Sequence, residues 1–261
     1  MAHVPLPPVL DVSALPGPVR VLGDVHLAAR GTEVAGAFTA TLHALEGQGG
    51  SLVLLGDLFD AWSGAAQAHE PFERLILGSL ARLARSGVRL VFVPGNRDFN
   101  FPLGVDLPIE AWPDLVRMPW GGRTVLFTHG DRLCLADHGY QRLRRFLRRA
   151  DGRPRLWSRL CPYGIQRGIA RGLRQVSRTA TSRKPRMVMD IDYEAAEAWL
   201  DHYRADVLLA GHVHTGRHRI LAEGPSGVTR ESFVLLDWDR GGSVIVLDEA
   251  GIRMVAPADI A

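Results

Sequence analysis

Five short blocks carry the side chains that a pair of divalent cations would need. They are Asp24-Val25-His26, Gly56-Asp57, Gly95-Asn96-Arg97-Asp98, His129-Gly130-Asp131 and Gly211-His212-Val213-His214. Carboxylate, amide and imidazole donors in one set suit Mn²⁺, Fe²⁺ or Zn²⁺ better than Ca²⁺, and no thiolate accompanies them. Two cations about 3.5–4 Å apart generate hydroxide near neutral pH and stabilise an in-line displacement at phosphorus. The charge balance suits an anionic substrate, because two divalent ions outweigh Asp24, Asp57 and a hydroxide together. A lone Asp at a strand end is commonly a helix cap, and a lone His a hydrogen-bonded core residue. Five blocks in this order point away from both. The chain has no Gly-x-Ser-x-Gly elbow, no Gly-x-x-x-x-Gly-Lys loop and no His-Glu-x-x-His, which leaves rival chemistries without a motif.

Such blocks must be aimed at one place by the elements around them. Most follow an apolar run of strand length: Val19 to Leu22, Leu52 to Leu55, Leu90 to Val93, Val125 to Phe127 and Val207 to Leu209. In open α/β sheets the ligand crevice lies at the carboxyl ends of the strands. Residues two apart in a strand share a face, so Asp24 with His26, and His212 with His214, are expected to point as pairs. Strand-like runs alternate with helix-length segments through the first half, as in βαβ units of the α/β class. The last forty residues switch to short runs, Phe233 to Leu236, Ser243 to Leu247 and Ile252 to Val255. These predict strands added to a second sheet. Residues 1–18 read as an irregular arm.

Apolar residues make up 46% and no Ser/Gly/Pro linker divides the chain, so one domain is expected over residues 1–261. Cys134 and Cys161 supply no disulfide framework. Prolines at 5, 7 and 8, with no Lys or Arg before Arg20, argue against a secretory leader, and no apolar stretch approaches a membrane span. A cytoplasmic placement is expected. The net charge of +3 hides an asymmetry: Gln141 to Arg186 holds 15 basic residues and one acid, against 16 basic residues and 27 acids elsewhere. Apolar residues, among them Leu143, Phe146, Leu156, Trp157 and Ile169, are interleaved there. Basic and apolar positions on the same helices suit peripheral contact with an anionic lipid surface, the inner membrane, and no nucleic-acid partner is expected.

Taken together, Asp-x-His, Gly-Asp, Gly-Asn-x-Asp, His-Gly and Gly-His-x-His resemble the calcineurin-like metallophosphoesterases. The resemblance implies a four-layer α/β/β/α sandwich and a dinuclear site, most readily Mn²⁺. One metal would take Asp24, His26, Asp57 and His214; the other would take Asp57, Asn96, His129 and His212. Most members carry His after the Asn of the third block, where this chain has Arg97. An arginine is a poor general acid and a good fork for phosphate oxygens. Expelling an alkoxide usually wants a proton, whereas expelling a phosphate mainly needs its charge stabilised. Arg97 therefore favours a diphosphate substrate, unless it is only a surface partner of Asp98.

Gly95 to Phe99, His129 to Cys134, Asp57 to Trp62 and the run from Ser177 to Asp190 resemble, more narrowly, the UDP-2,3-diacylglucosamine diphosphatases of lipid A synthesis. That resemblance implies hydrolysis to UMP and 2,3-diacylglucosamine 1-phosphate, with a helical cap, here about residues 138–188, holding the acyl chains. Position by position it nominates Asn96, Arg97, Asp137, Ser177, Thr181, Lys184 and His212 as substrate contacts, with Arg97 and His212 catalytic. Lys184 is the one lysine among 31 basic residues. Two departures stand out: Ser63-Gly64-Ala65-Ala66-Gln67 where acidic residues are usual, and Asp237-Trp238-Asp239 late in the chain. Neither is expected to touch the metal ligands. Two other readings stay open, a general metallophosphoesterase on soluble nucleotides or phosphodiesters, and a catalytically retired protein that binds membrane or nucleic acid.

Overall fold

A computed structural model of the chain describes residues 6–29, 32–102, 105–151, 190–223 and 227–260. The first half runs β1 (Leu10–Asp11), β2 (Val19–Leu22), α1 (Thr32–Leu45), β3 (Ser51–Leu54), α2 (Pro71–Arg85), β4 (Arg89–Phe92), β5 (Ile109–Ala111), β6 (Leu115–Trp120) and β7 (Arg123–Thr128). The second runs α3 (His138–Leu147), α4 (Tyr193–His202), β8 (Val207–Ala210), β9 (Arg217–Glu223), β10 (Thr229–Val234), β11 (Val244–Asp248) and β12 (Gly251–Val255). One sheet has the order β12-β11-β2-β3-β4-β5 and the other β1-β6-β7-β8-β10-β9.

Both faces of the central strands are apolar, which is why they read as continuous hydrophobic runs. Val19, Val21, Val53, Leu55, Val91 and Val93 meet Val116, Met118, Val125, Phe127, Val207 and Leu209 of the other sheet. The alternate positions, Leu22, Leu52, Leu54, Leu90 and Phe92, pack under Phe38 and Leu42 of α1 and Ile76, Leu80 and Leu83 of α2. Residues 76, 80 and 83 form one helical stripe, and Pro71 stands at the start of α2, where its missing N–H costs nothing. On the far side, Ala196, Trp199 and Leu200 of α4 cover Leu115, Leu126, Leu208 and Val234. The layers are thus α/β/β/α, as the resemblance implied.

Two expectations need correction. The late strands do not all extend the second sheet: β10 joins it beside β8, while β11 pairs antiparallel with β2 and carries β12 on the edge of the first. The first sheet's edge beyond β2 is open to them because its parallel neighbours lie on the other side. Nor is the N-terminal arm wholly irregular. β1 pairs parallel with β6, Arg117 Nε donates to Asp11 at 2.5 Å, and Tyr203 OH donates to the Pro7 carbonyl.

Candidate metal centre

The blocks do converge, at the carboxyl ends of β2, β3, β4, β7 and β8. Ligand atoms of Asp24, His26 and His214 lie within 4.8 Å of one another, and so do those of Asp24, Asp57 and His129. Asn96 Oδ1 sits 2.9 Å from both His129 Nε2 and His212 Nδ1, which joins the remaining two donors to the cluster. His26 Nε2 and His214 Nε2 face each other at 3.1 Å, about the spacing of two ligands each roughly 2.1 Å from one cation. Asp24 Oδ1 and His26 Nδ1 are buried and make no hydrogen bond, their charged neighbours being His214 Nε2 at 3.4 Å and Asp57 Oδ2 at 3.9 Å. Buried, unsatisfied donors and acceptors of this kind call for an ion or water, so the donor set fits a pair of divalent cations.

Strand alternation is not what aims the paired ligands, contrary to the sequence reading. Asp24, His26, His212 and His214 all lie beyond the ends of β2 and β8. Asp24, His26, Asp57, His212 and His214 have φ of 52°, 55°, 51°, 71° and 56°. Among the described residues Arg204 is the one other non-glycine with left-handed backbone. Each such residue costs about 1–3 kcal/mol and persists where its surroundings hold it. Here the loops hold each other: the Asp24 and His26 amides donate to the Gly56 and Asp57 carbonyls at 3.1 and 3.0 Å, and the His212 amide donates to Asp24 Oδ2 at 2.8 Å. The glycines of the blocks permit this approach. A Cβ on Gly95 would stand 2.1 Å from the Asp57 nitrogen, and one on Gly56 would stand 2.5 Å from the Gly95 Cα.

The imidazoles differ in charge. Burial draws His26 and His212 down to about 4, with Arg97 adding to the first and His129 to the second. Burial acts against charge on His214 as well, but Asp237 and Asp24 override it and push that ring up to about 10. Burial would raise Asp24; the neighbouring His214, His129 and His26 hold it well below the usual carboxylate range instead. His129 Nδ1 lies 3.0 Å from the Leu55 carbonyl, a contact that leaves Nε2 as the ligand atom.

Three carboxylates matter that the sequence reading did not assign to the site. Asp98 is fully buried and accepts from the Asp57, Leu58 and Gly95 amides at 3.0, 2.7 and 3.2 Å, tying the Asp57 and Asn96 loops together. It is therefore not the surface partner of Arg97. That partner is Asp60, with Arg97 Nη1 donating to its Oδ1 at 2.5 Å, while Arg97 Nε lies 3.5 Å from Asp57 Oδ2. Asp60 had a signal in the sequence, its place three residues after Asp57. Asp237 had none, and the expectation that its segment avoids the ligands is overturned: Asp237 Oδ2 lies 3.5 Å from His214 Nδ1.

Of the predicted substrate contacts, Asn96, Arg97 and His212 lie in the cluster. Asp137 caps α3, its carboxylate accepting from the Tyr140 amide at 3.1 Å, and the next turn sets the Tyr140 ring over His212 with centroids 5.8 Å apart. Ser177, Thr181 and Lys184 lie outside the described residues, as does most of the predicted cap. The basic segment is not uniformly a surface: Arg144 and Arg148 are buried against Asp114 and Asp131.

The calcineurin-like phosphoesterase family profile matches residues 17–216, which include every candidate metal ligand. Three curated proteins, each called UDP-2,3-diacylglucosamine hydrolase, align over nearly the whole chain. That of Pseudomonas syringae pv. tomato is 33% identical, covering 90% of this chain and 94% of its own. That of Stutzerimonas stutzeri is 34% identical, covering 89% and 96%. That of Pseudomonas fluorescens Pf0-1 is 34% identical, covering 93% and 96%.

Proposed function

Since the chain belongs to the calcineurin-like phosphoesterases, in the company of the UDP-2,3-diacylglucosamine hydrolases, we propose that it hydrolyses the diphosphate of UDP-2,3-diacylglucosamine to UMP and 2,3-diacylglucosamine 1-phosphate. The observation that carries this reading is the placement of Arg97 at the mouth of the cluster, held by Asp60 and beside Asp57. A fixed guanidinium there offers charge and a fork of donors to phosphate oxygens, which serves a phosphate leaving group better than an alkoxide.

Asp24, His26, Asp57 and His214 would hold one divalent cation, and Asp57, Asn96, His129 and His212 the other. Mn²⁺ is our assignment for both: the mixture of carboxylate, amide and imidazole donors suits Mn²⁺, Fe²⁺ or Zn²⁺, and the family resemblance favours the first. When bound, the two cations supply activation of water at neutral pH and offset charge developing at phosphorus. Water oxygen becomes bonded to the uridine-side phosphorus, and the bridging oxygen leaves with the sugar phosphate. Arg97 stabilises the charge that this transfer builds up. His212 and Asn96 keep contact with the transferred group, while Lys184 with its neighbours Ser177 and Thr181 positions the sugar phosphate, and Asp137 is a further substrate contact.

Residues of about 138–188 form the cap over the acyl chains in this reading. Support for peripheral contact with the inner-membrane surface comes from α3, where Arg142, Arg145 and the 64% exposed Phe146 face outward. Among the described residues no helix is long and apolar enough to cross a membrane.

The test is UMP release from UDP-2,3-diacylglucosamine with Mn²⁺ and with chelator, beside UDP-N-acetylglucosamine and bis-p-nitrophenyl phosphate. Metal-dependent cleavage that strongly favours the diacylated substrate is expected. Equal or faster turnover of the soluble compounds would overturn the assignment and leave a general phosphoesterase.

A further inference from the structure

A buried ion cluster lies beside the metal centre, and none of its charges is a candidate ligand. Asp131, fully buried, accepts from Arg144 Nε and Arg148 Nη1, each at 2.9 Å, and from the Tyr140 hydroxyl. Asp114, 1% exposed, accepts from Arg144 Nη2 at 2.5 Å, from Arg148 Nη2 at 3.3 Å, and from Arg132 Nε. Charged groups this deep are costly to bury, and buried ion pairs on the whole add little to stability. A structural role alone would be met as well by apolar side chains.

What distinguishes Arg148 is its reach. Its Nη2 also donates to the Pro94 carbonyl at 3.1 Å, and its guanidinium carbon lies 5.5 Å from the centre of the Phe99 ring. Pro94 and Phe99 are the residues on either side of Gly95-Asn96-Arg97-Asp98. One side chain from the end of α3 thus brackets the loop that carries Asn96 and Arg97. At the other end of α3, Tyr140 stacks on His212 while its hydroxyl donates to the same Asp131. The residues after α3 are tied in as well: the Asp114 amide donates to the Asp151 carbonyl at 3.0 Å, and Arg132 Nη2 donates to the Ala150 carbonyl.

We infer that Arg148 is a positioning residue. Through its fork it couples the seating of α3 to the geometry of the Asn96–His129–His212 half of the centre. Among the described residues α3 reaches the Asp24–His26–His214 half at second hand, through the His212 amide on Asp24 Oδ2 and through Asp98 on the shared Asp57, while Asp237 and the Gly56–Asp57 backbone hold that half directly. The coupling gives the enzyme a way to complete one half of its centre only when α3 is docked. The inference rests on the dinuclear reading above but not on the identity of the substrate.

Mn²⁺ binding to metal-free protein, followed by calorimetry alongside thermal melting, reads the coupling without any turnover. Asn96→Ala and His26→Ala supply the reference defects for the two halves. Arg148→Lys keeps the charge but not the fork. It is expected to melt close to the parent protein and to bind one of two Mn²⁺ about 10–100-fold more weakly, with the Asn96→Ala signature. Tyr140→Phe, which keeps the ring over His212, should shift the same Mn²⁺ in the same direction by less. Parent-like binding of both ions in Arg148→Lys and Tyr140→Phe would overturn the inference, and so would equal weakening of both halves. If Arg148→Lys does not fold, Phe99→Leu takes its place, and a defect confined to the Asn96 half supports the inference while its absence defeats it.

Discussion

Asp60 Oδ1 accepts a hydrogen bond from Arg97 Nη1 at 2.5 Å, so the guanidinium beside Asp57 is itself oriented by a carboxylate. Asp60 is 7% exposed and lies three residues after Asp57. The pair places a permanent charge beside Asp57 without engaging all five guanidinium donors.

Removing the partner should loosen Arg97 without emptying the centre. Asp60→Asn is expected to lower kcat about 10–100-fold with Mn²⁺ stoichiometry unchanged. Arg97→Lys should lose about 10²–10³ in kcat, because a point charge does not replace a planar fork. Steady-state kinetics of UMP release measure both. A large rise in KM with kcat intact would assign the pair to ground-state binding instead.

Asp237 stands behind His214 as a carboxylate commonly stands behind a metal-ligating imidazole. Asp237→Ala is expected to weaken one Mn²⁺ about 10–100-fold, with the signature of His26→Ala. Calorimetric titration of the metal-free variant settles this, and unchanged affinity would reduce Asp237 to a loop residue.

His214 predicts how metal binding depends on pH. Burial opposes its charge, yet Asp237 and Asp24 push it up to about 10, so in metal-free protein the ring is cationic at neutral pH. The ion pairs it makes stabilise the metal-free fold fully below its unshifted value of 6.5 and lose that contribution as pH rises through about 10. A ligating imidazole must give up this proton. Mn²⁺ affinity should therefore climb with pH up to that range, with close to one proton released per Asp24-half ion at pH 7. Calorimetry at pH 7 in two buffers of different ionisation enthalpy counts the proton, and identical heats would mean that His214 is already neutral before the metal binds.

The Asp114–Asp131–Arg144–Arg148 cluster predicts the acid limit of the fold. Burial would raise both carboxyls, but Arg144 and Arg148 override it and hold Asp114 low and Asp131 well below its ordinary value. A depressed folded pKa gives stability that is complete above the unfolded value of about 3.9 and is lost as pH falls through the folded one. Arg144→Met should raise the midpoint of acid unfolding, besides costing about 3–5 kcal/mol at neutral pH. Circular dichroism against pH reads the midpoint; no upward movement would mean the cluster does not set the acid limit.

Strand positions and ligand types were legible in the sequence for a local reason. Val19-Arg20-Val21-Leu22 and Leu52-Val53-Leu54-Leu55 fill both faces of a covered sheet, so the hydrophobic run and the strand nearly coincide. Asp, His and Asn at the ends of such runs are recognisable as donors from residue type and position alone. The aim of those donors was not legible, because it comes from left-handed backbone at Asp24, His26, Asp57, His212 and His214. That conformation is imposed by loops meeting across the strand ends, not by the residues' own preferences. The same holds for the partners: Arg97 pairs with Asp60 and not with the adjacent Asp98, and His214 meets Asp237 from a segment distant in the chain. Arg144 and Arg148 belonged, by composition, to a basic surface. They are buried because the fold brings Asp114 and Asp131 beneath α3, and a burial decided by a distant counter-charge leaves no periodic trace in the chain.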